Sequence, residues 1–224
     1  MILALDVGNT NIVVGCGDTS ESMYKGRLTT EKNGTVEEYA IRLSAMLGLH
    51  HIAIGDIDGS IISTVVPELT NVLTRALEIL IGKTPMLVKH TLDTGLTLEI
   101  DEPKRLGADL IVGAVAAMNE YPLPLAVFDM GTATTLAVVD KRRCYIGGSI
   151  MPGVKTSLNA LSGNASQLPY IDIDAPESVI GKNTIDCMKS GIVFGTAAML
   201  DGLIDRVEKE LGETLTVIAT GGLA

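Results

Sequence analysis

Two stretches decide how this sequence is read: Leu3-Ala-Leu-Asp6-Val-Gly8-Asn-Thr10-Asn-Ile-Val-Val14 and, about half the chain further on, Ala126-Val-Phe-Asp129-Met-Gly131-Thr-Ala-Thr134-Thr-Leu-Ala-Val138. Each runs apolar strand, Asp, Gly, short hydroxyl-rich turn, apolar strand. Self-similarity at so long a period points to a duplicated unit. The expected architecture is two similar α/β halves facing each other across a cleft. A single Asp-x-Gly between strands is ordinarily just a hairpin turn. Two copies at equivalent places ask for a shared chemical reason.

Phosphate binding supplies one. Gly8 permits close backbone approach. Asn9, Thr10 and Asn11 add donors, and consecutive N–H groups in a turn make an anion-binding nest. Asp6 would repel a phosphate, so its task is to hold Mg²⁺ through oxygen or water. The second turn, with Asp129, Gly131, Thr132, Thr134 and Thr135, has the same chemistry.

Working outward, residues 1–7, 11–17 and 21–28 read as an antiparallel meander of three strands. Thr35-Val-Glu-Glu38 is a capping box that starts a helix to Leu49. A strand at 59–65, a helix from Pro67 to Ile81 and a strand at 85–89 follow. Residues 91–105 read as a charged connection, and 106–119 as an Ala-rich helix. The second half repeats the order, with strands at 123–130, 134–140 and 143–150 and a helix opened by Pro152 and ending at Leu161. A long helix at 183–211, with a break expected near Gly191 or Gly195, leads to a strand at 214–220. The domains are expected at 1–118 and 119–224.

Composition narrows the function. With no Trp and two Phe among 224 residues, the core must be aliphatic, which suits parallel strands covered by helices. A formal net charge of −10 argues against nucleic acid as a partner. Three widely spaced cysteines, Cys16, Cys144 and Cys187, fit neither a disulfide framework nor a metal motif. His50, His51 and His90 lack ligand spacing. The N-terminus has no basic region before its apolar residues, and no apolar run reaches the length of a membrane span. The expectation is a soluble, cytoplasmic protein without a membrane partner.

Rival motifs fail. Gly82-Lys-Thr84 resembles the end of a P-loop, but the earlier glycine position holds Leu77 and Pro85 follows. Gly15-Cys-Gly17 opens no dinucleotide fingerprint. Phosphoryl transfer to an alcohol needs positioning, charge neutralisation and a carboxylate for the hydroxyl. Asp109, at the start of an otherwise apolar helix, is the candidate. A carboxylate there would equally favour the helix dipole.

Six ordered motifs carry a resemblance: Asp6-Val-Gly-Asn-Thr-Asn11, Gly107-Ala-Asp109, Asp129-Met-Gly-Thr-Ala-Thr-Thr135, Gly147-Gly-Ser-Ile-Met-Pro-Gly153, Asn183-Thr184 and Thr220-Gly-Gly-Leu-Ala224. Together they resemble type III pantothenate kinases, within the acetate/sugar kinase, chaperone and actin superfamily. The resemblance implies an α/β fold of two duplicated ribonuclease H-like domains, each a mixed five-stranded sheet with helices, around a central cleft. It implies ATP-dependent phosphorylation of pantothenate, the first step to coenzyme A. By motif position, Asp6, Val7, Gly8, Asn9, Thr10, Asn11, Ile12 and Val13 would line the ATP phosphates, with Asp6 near Mg²⁺. Asp109 would be the general base, and Gly107, Ala108, Asp109, Leu110 and Thr184 would meet the substrate. Asp129 would hold a monovalent cation, K⁺ or NH₄⁺. Thr132, Gly221 and Gly222 would contact ATP. A homodimer is also implied.

Two departures stand out. The family's usual Gly-Ala-Asp-Arg reads Gly-Ala-Asp-Leu110 here, which removes an expected partner of the pantothenate carboxylate; Lys104, Arg105 or backbone donors are the alternatives. The sequence also stops at Ala224, where relatives carry a further helix. Leu110 motivates a second reading, a catalytically weak homologue acting as a binding or regulatory protein. A kinase of the same fold acting on another small alcohol is a third.

Overall fold

The computed structural model describes residues 1–18 and 24–224, and the start of the expected third strand, residues 21–23, lies outside them. The chain forms two compact units. The first holds Met1–Thr94 and Glu102–Gly113; the second holds Gly95–Asp101 and Ala114–Ala224.

In the first unit, β1 (Ile2–Val7), β2 (Asn11–Gly17) and β3 (Tyr24–Thr29) form an antiparallel meander. β4 (Gly59–Thr64) and β5 (Met86–Leu87) add in parallel, giving the order β3-β2-β1-β4-β5. Alternation sorts the side chains of β1: Leu3, Leu5 and Val7 are buried and Asp6 is exposed. The buried set packs with helices α1 (Val36–Leu49) and α2 (Pro67–Ile81) through Tyr39, Leu43, Leu47, Leu69, Leu73 and Leu77. Each fully buried leucine there contributes about 1.5–3 kcal/mol.

The helix ends follow their sequence signals. Thr35 caps α1: its Oγ1 accepts the Glu38 N–H at 3.3 Å, and the Thr35 N–H donates to Glu38 Oε2 at 2.7 Å. Such a cap stabilises by about 1 kcal/mol. Pro67 occupies the first turn of α2, and Gly82, at φ +77°, ends it in the left-handed conformation.

The second unit repeats the meander with β7 (Leu125–Met130), β8 (Ala133–Val139) and β9 (Cys144–Pro152), after α3 (Ala108–Glu120), along which the chain passes from the first unit into the second. β10 (Thr216–Thr220) pairs in parallel with β7. The other edge is filled unexpectedly. Within the charged connection, Thr97–Leu98 forms β6, which pairs in parallel with β9, and Pro103–Arg105 makes a 3₁₀ turn. The connection is therefore structured: the Thr97 N–H donates to the Arg143 carbonyl and the Glu99 N–H to the Tyr145 carbonyl. The sheet order is β10-β7-β8-β9-β6. Both halves are thus ribonuclease H-like α/β domains on mixed five-stranded sheets.

Two helix expectations are corrected. Pro152 is the last residue of β9, and Gly153 is the N-cap of α4 (Val154–Asn164). Thr184–Leu211 is one unbroken helix, α5, running through Gly191 and Gly195, since an isolated glycine costs a helix only about 1 kcal/mol. Asn183 caps it by accepting the Asp186 N–H at 3.0 Å. By length and composition α5 could span a bilayer, with a window of mean hydropathy 1.3. In its C-terminal half, Leu200, Leu203, Ile204, Val207 and Leu211 instead pack against Ala126, Phe128, Leu136 and Val138 of the second sheet.

Candidate active site

The first turn is built as the sequence suggests. Asp6 pairs with Val13 across the hairpin, and the Gly8 N–H donates to the Asn11 carbonyl at 2.9 Å. A Cβ on Gly8 would come within 3.2 Å of that carbonyl, so the approach is tight. Thr30, just after β3, anchors the turn from outside: its Oγ1 donates to the Gly8 carbonyl at 2.7 Å and its N–H to the Thr10 carbonyl at 3.0 Å. Lys32 Nζ lies 3.3 Å from Asn9 Oδ1, which brings a cation to the turn. Neither Thr30 nor Lys32 is visible as a site residue in sequence, because the meander that returns them to the turn must fold first.

The Gly107-Ala-Asp109 motif comes to the same end of the first sheet. The Val65 N–H donates to the Val7 carbonyl at 3.0 Å, extending the β1–β4 ladder past Thr64. Val65 Cγ1 lies 3.5 Å from where a Cβ of Gly107 would be. Two residues on, Asp109 lies in the first turn of α3 and its Oδ1 accepts the Leu110 N–H at 2.8 Å. Asp6 and Asp109 therefore sit at the carboxyl ends of adjacent parallel strands, where open α/β sheets bind ligands. Leu110 is half-buried beside Asp109.

The neighbour of Asp6 on β4 is Ser63, in register with it. Its hydroxyl is buried without a hydrogen-bond partner. An exposed carboxylate beside an orphaned hydroxyl is an oxygen donor set of the kind a hydrated Mg²⁺ takes, so these residues fit that ion.

In the second unit the corresponding turn is crowded with backbone. The Gly131 N–H donates to the Ala133 carbonyl at 3.0 Å, and the Gly153 N–H to the Thr132 carbonyl at 3.1 Å. A side chain on Gly153 would collide with the carbonyls of Gly131 and Thr132. Thr156 Oγ1 also donates to the Thr132 carbonyl, at 2.7 Å. Gly221, at φ +101°, follows β10, and a Cβ there would lie 2.7 Å from Asp129 Oδ1 and from the Met130 backbone. The fold thus gathers Asp129, Thr132, Gly153 and Gly221 at one end of the second sheet, with the exposed Gly222 next in the chain. Thr184 is the first residue of α5. It lines an apolar groove of about 690 Å³ with Ser157, Leu161, Leu168 and Met188, next to the exposed Cys187.

Among the described residues, Glu99, Asp140 and Cys144 place potential metal ligands near one another. Arg142 already serves both carboxylates, at 2.6 Å from Glu99 and 2.8 Å from Asp140. This cluster is an ion-pair clamp that ties the end of β6 to the β8–β9 turn.

Comparison with known proteins agrees with the duplicated fold. Component A of (R)-2-hydroxyglutaryl-CoA dehydratase from Acidaminococcus fermentans aligns over 99% of this chain and 83% of its own, with a TM-score of 0.58 at 16% identity. The ethanolamine utilization protein EutJ from Carboxydothermus hydrogenoformans aligns over 98% and 75%, with a TM-score of 0.52 at 20% identity. At such identities the likeness speaks for the fold alone. Sequence relatives carry more. The type III pantothenate kinase of Exiguobacterium sibiricum is 43% identical over all of this chain and 88% of its own length. That of Halalkalibacterium halodurans is 42% identical over the same shares. The family model for type III pantothenate kinase matches residues 2–206, and on this match and these identities the chain belongs to the type III pantothenate kinase family.

Proposed function

We propose that this protein transfers the γ-phosphoryl group of ATP to the primary hydroxyl of pantothenate, the entry step to coenzyme A. The observation that carries the reading is the position of Asp109 on α3, at the same sheet end as the Asp6–Asn11 turn, within a chain of this family.

Asp6 to Val13 line the ATP phosphates, with turn N–H groups as donors and Lys32 as the nearby cation. Asp6 holds the Mg²⁺, which when bound neutralises phosphate charge. Thr132, Gly221 and Gly222 contact ATP, and the open space where a side chain of Gly222 would be leaves its backbone accessible to the nucleoside. Asp129 holds a monovalent cation, K⁺ or NH₄⁺. Gly107, Ala108, Leu110 and Thr184 position pantothenate. Asp109 accepts the hydroxyl proton as the oxygen attacks, a role worth about 10²–10⁴ in rate. Its place beside the Leu110 N–H keeps it near its own helix start until substrate arrives.

The protein works as a homodimer in the cytoplasm, on small molecules, without nucleic acid or membrane. Exposed Ile185, Phe194 and Met199 along the first 16 residues of α5 support a second copy as a neighbour. The domain boundary is proposed near residue 118, close to the passage between units in α3.

The test is ADP release with pantothenate, Mg²⁺ and K⁺. Turnover that requires pantothenate is expected, and Asp109→Asn should lose at least about a hundredfold in kcat with an unchanged melting temperature. A folded protein without pantothenate-dependent turnover would refute the reading. ATP or pantothenate binding without turnover would instead favour a regulatory homologue, the alternative that Leu110 motivates.

A further inference from the structure

Among the described residues, three buried hydroxyls have no hydrogen-bond partner: Ser60, Ser63 and Thr134. A buried donor left unpaired is destabilising and calls for a reason. Register separates the three. Ser60 pairs with Leu3, so it faces the helix-covered core of the first sheet. Thr134 shares its face of β8 with Leu136 and Val138, which belong to the core of the second sheet. Ser63 pairs with Asp6 and lies on the opposite face from Ser60.

That face also carries the catalytic geometry. Val65 continues it two residues on, and Gly107 packs on Val65 with Asp109 folded back over it. Ser63 is 5% exposed at a position where Ala would fill the space without an orphaned oxygen. Retaining a hydroxyl there makes physical sense if a ligand completes it. A neutral donor beside a carboxylate suits an oxygen-rich ligand, since it satisfies a phosphate or water oxygen without adding charge.

We propose that Ser63 is a positioning residue for the metal–nucleotide complex at Asp6, its hydroxyl meeting a metal-bound water or a phosphate oxygen that a divalent cation brings to the Asp6 carboxylate. The inference rests on the kinase reading above and adds a residue to it.

The experiment is calorimetric titration of a non-hydrolysable ATP analogue into wild type, Ser63→Ala and Ser60→Ala, each with and without Mn²⁺, alongside thermal melts. Ser60 is a control of the same type, on the same strand, on the wrong face. With Mn²⁺, Ser63→Ala should bind about ten- to a hundredfold more weakly, the worth of one hydrogen bond to a charged group. Without metal its binding should stay near that of wild type, and Ser60→Ala should match wild type in both conditions. Unchanged Mn²⁺-dependent binding, an equal loss in Ser60→Ala, or an equal loss without metal would each overturn the proposal. If Ser63→Ala melts early, Ser63→Thr and Ser63→Val differ by the hydroxyl alone. Thr must then bind at least about tenfold more tightly, and equal binding overturns the proposal. A wild type that binds no nucleotide at all would sink the kinase reading itself, and Ser63's role with it.

Discussion

Asp109 Oδ1 occupies the space where a side chain on Gly107 would begin, while accepting the Leu110 N–H at 2.8 Å. The glycine therefore makes room for the carboxylate. Gly107→Ala should push it aside and break that hydrogen bond. The expected result is a kcat loss of about a hundredfold, as for a misplacement near 1 Å, with KM for ATP little changed. ADP-release kinetics and a melting curve check it. A full-rate Gly107→Ala enzyme would mean that Asp109 does not need its observed position.

Leu110 sits next to that carboxylate and offers no charge to an acidic substrate. Leu110→Arg should lower KM for pantothenate by about ten- to a hundredfold, the range for one charge-assisted hydrogen bond. The gain should vanish for pantothenol, which lacks the carboxylate. An unchanged KM would show that Lys104, Arg105 or backbone donors already meet the anion.

Gly221 has both a positive φ and no room. Its absent side chain would meet Asp129 Oδ1 and the Met130 backbone at 2.7 Å. Gly221→Ala should cost about 1–3 kcal/mol of stability. On the proposed cation role of Asp129, it should also shift the K⁺ dependence of turnover, because Asp129 must move. Melting curves and a K⁺ titration separate the two effects.

The ion-pair clamp gives a pH signature. Burial pushes the Asp140 carboxyl upward, but the N–H groups of Cys144 and Arg142 and the Arg142 guanidinium outweigh it and hold the group below the usual carboxylate range. A depressed folded value means that the stabilisation is full above the unfolded pKa, about 3.9, and is lost as pH falls through the lower folded one. Asp140→Asn should therefore melt a few degrees below wild type, about 2–4 °C, near neutrality. The gap should close only as pH falls below the unfolded value and through the lower folded one. A gap independent of pH would show that the charge is irrelevant.

Much of the fold was legible because local signals and packing agree. The Thr35–Glu38 capping box, Pro67 and the terminal Gly82 set α1 and α2 where the sequence puts them. The two Asp-x-Gly hairpins open paired meanders as their repeat implies. What failed depended on distant partners. Thr97–Leu98 is too short to announce a strand and exists because β9 offers an edge. Gly191 and Gly195 look like breaks, yet α5 runs through them because an isolated glycine costs a long helix only about 1 kcal/mol. Pro152 reads as a helix start only until β9 is extended to include it. At the site, the motif residues stood out by their chemistry. Ser63 and Thr30 did not, because their meaning lies in which strand or carbonyl the fold lays beside them.

Strand β6 belongs to the second sheet by hydrogen bonding but to the first half by chain order. The two units are therefore laced, not strung like beads. A fragment cut cleanly at α3 and begun at residue 114 would present β9 with a bare flank of amides and carbonyls, an invitation to intermolecular pairing. Any attempt to trade one half of this molecule for that of a cousin must carry Gly95–Asp101 along with the later portion, at three splice points in place of one.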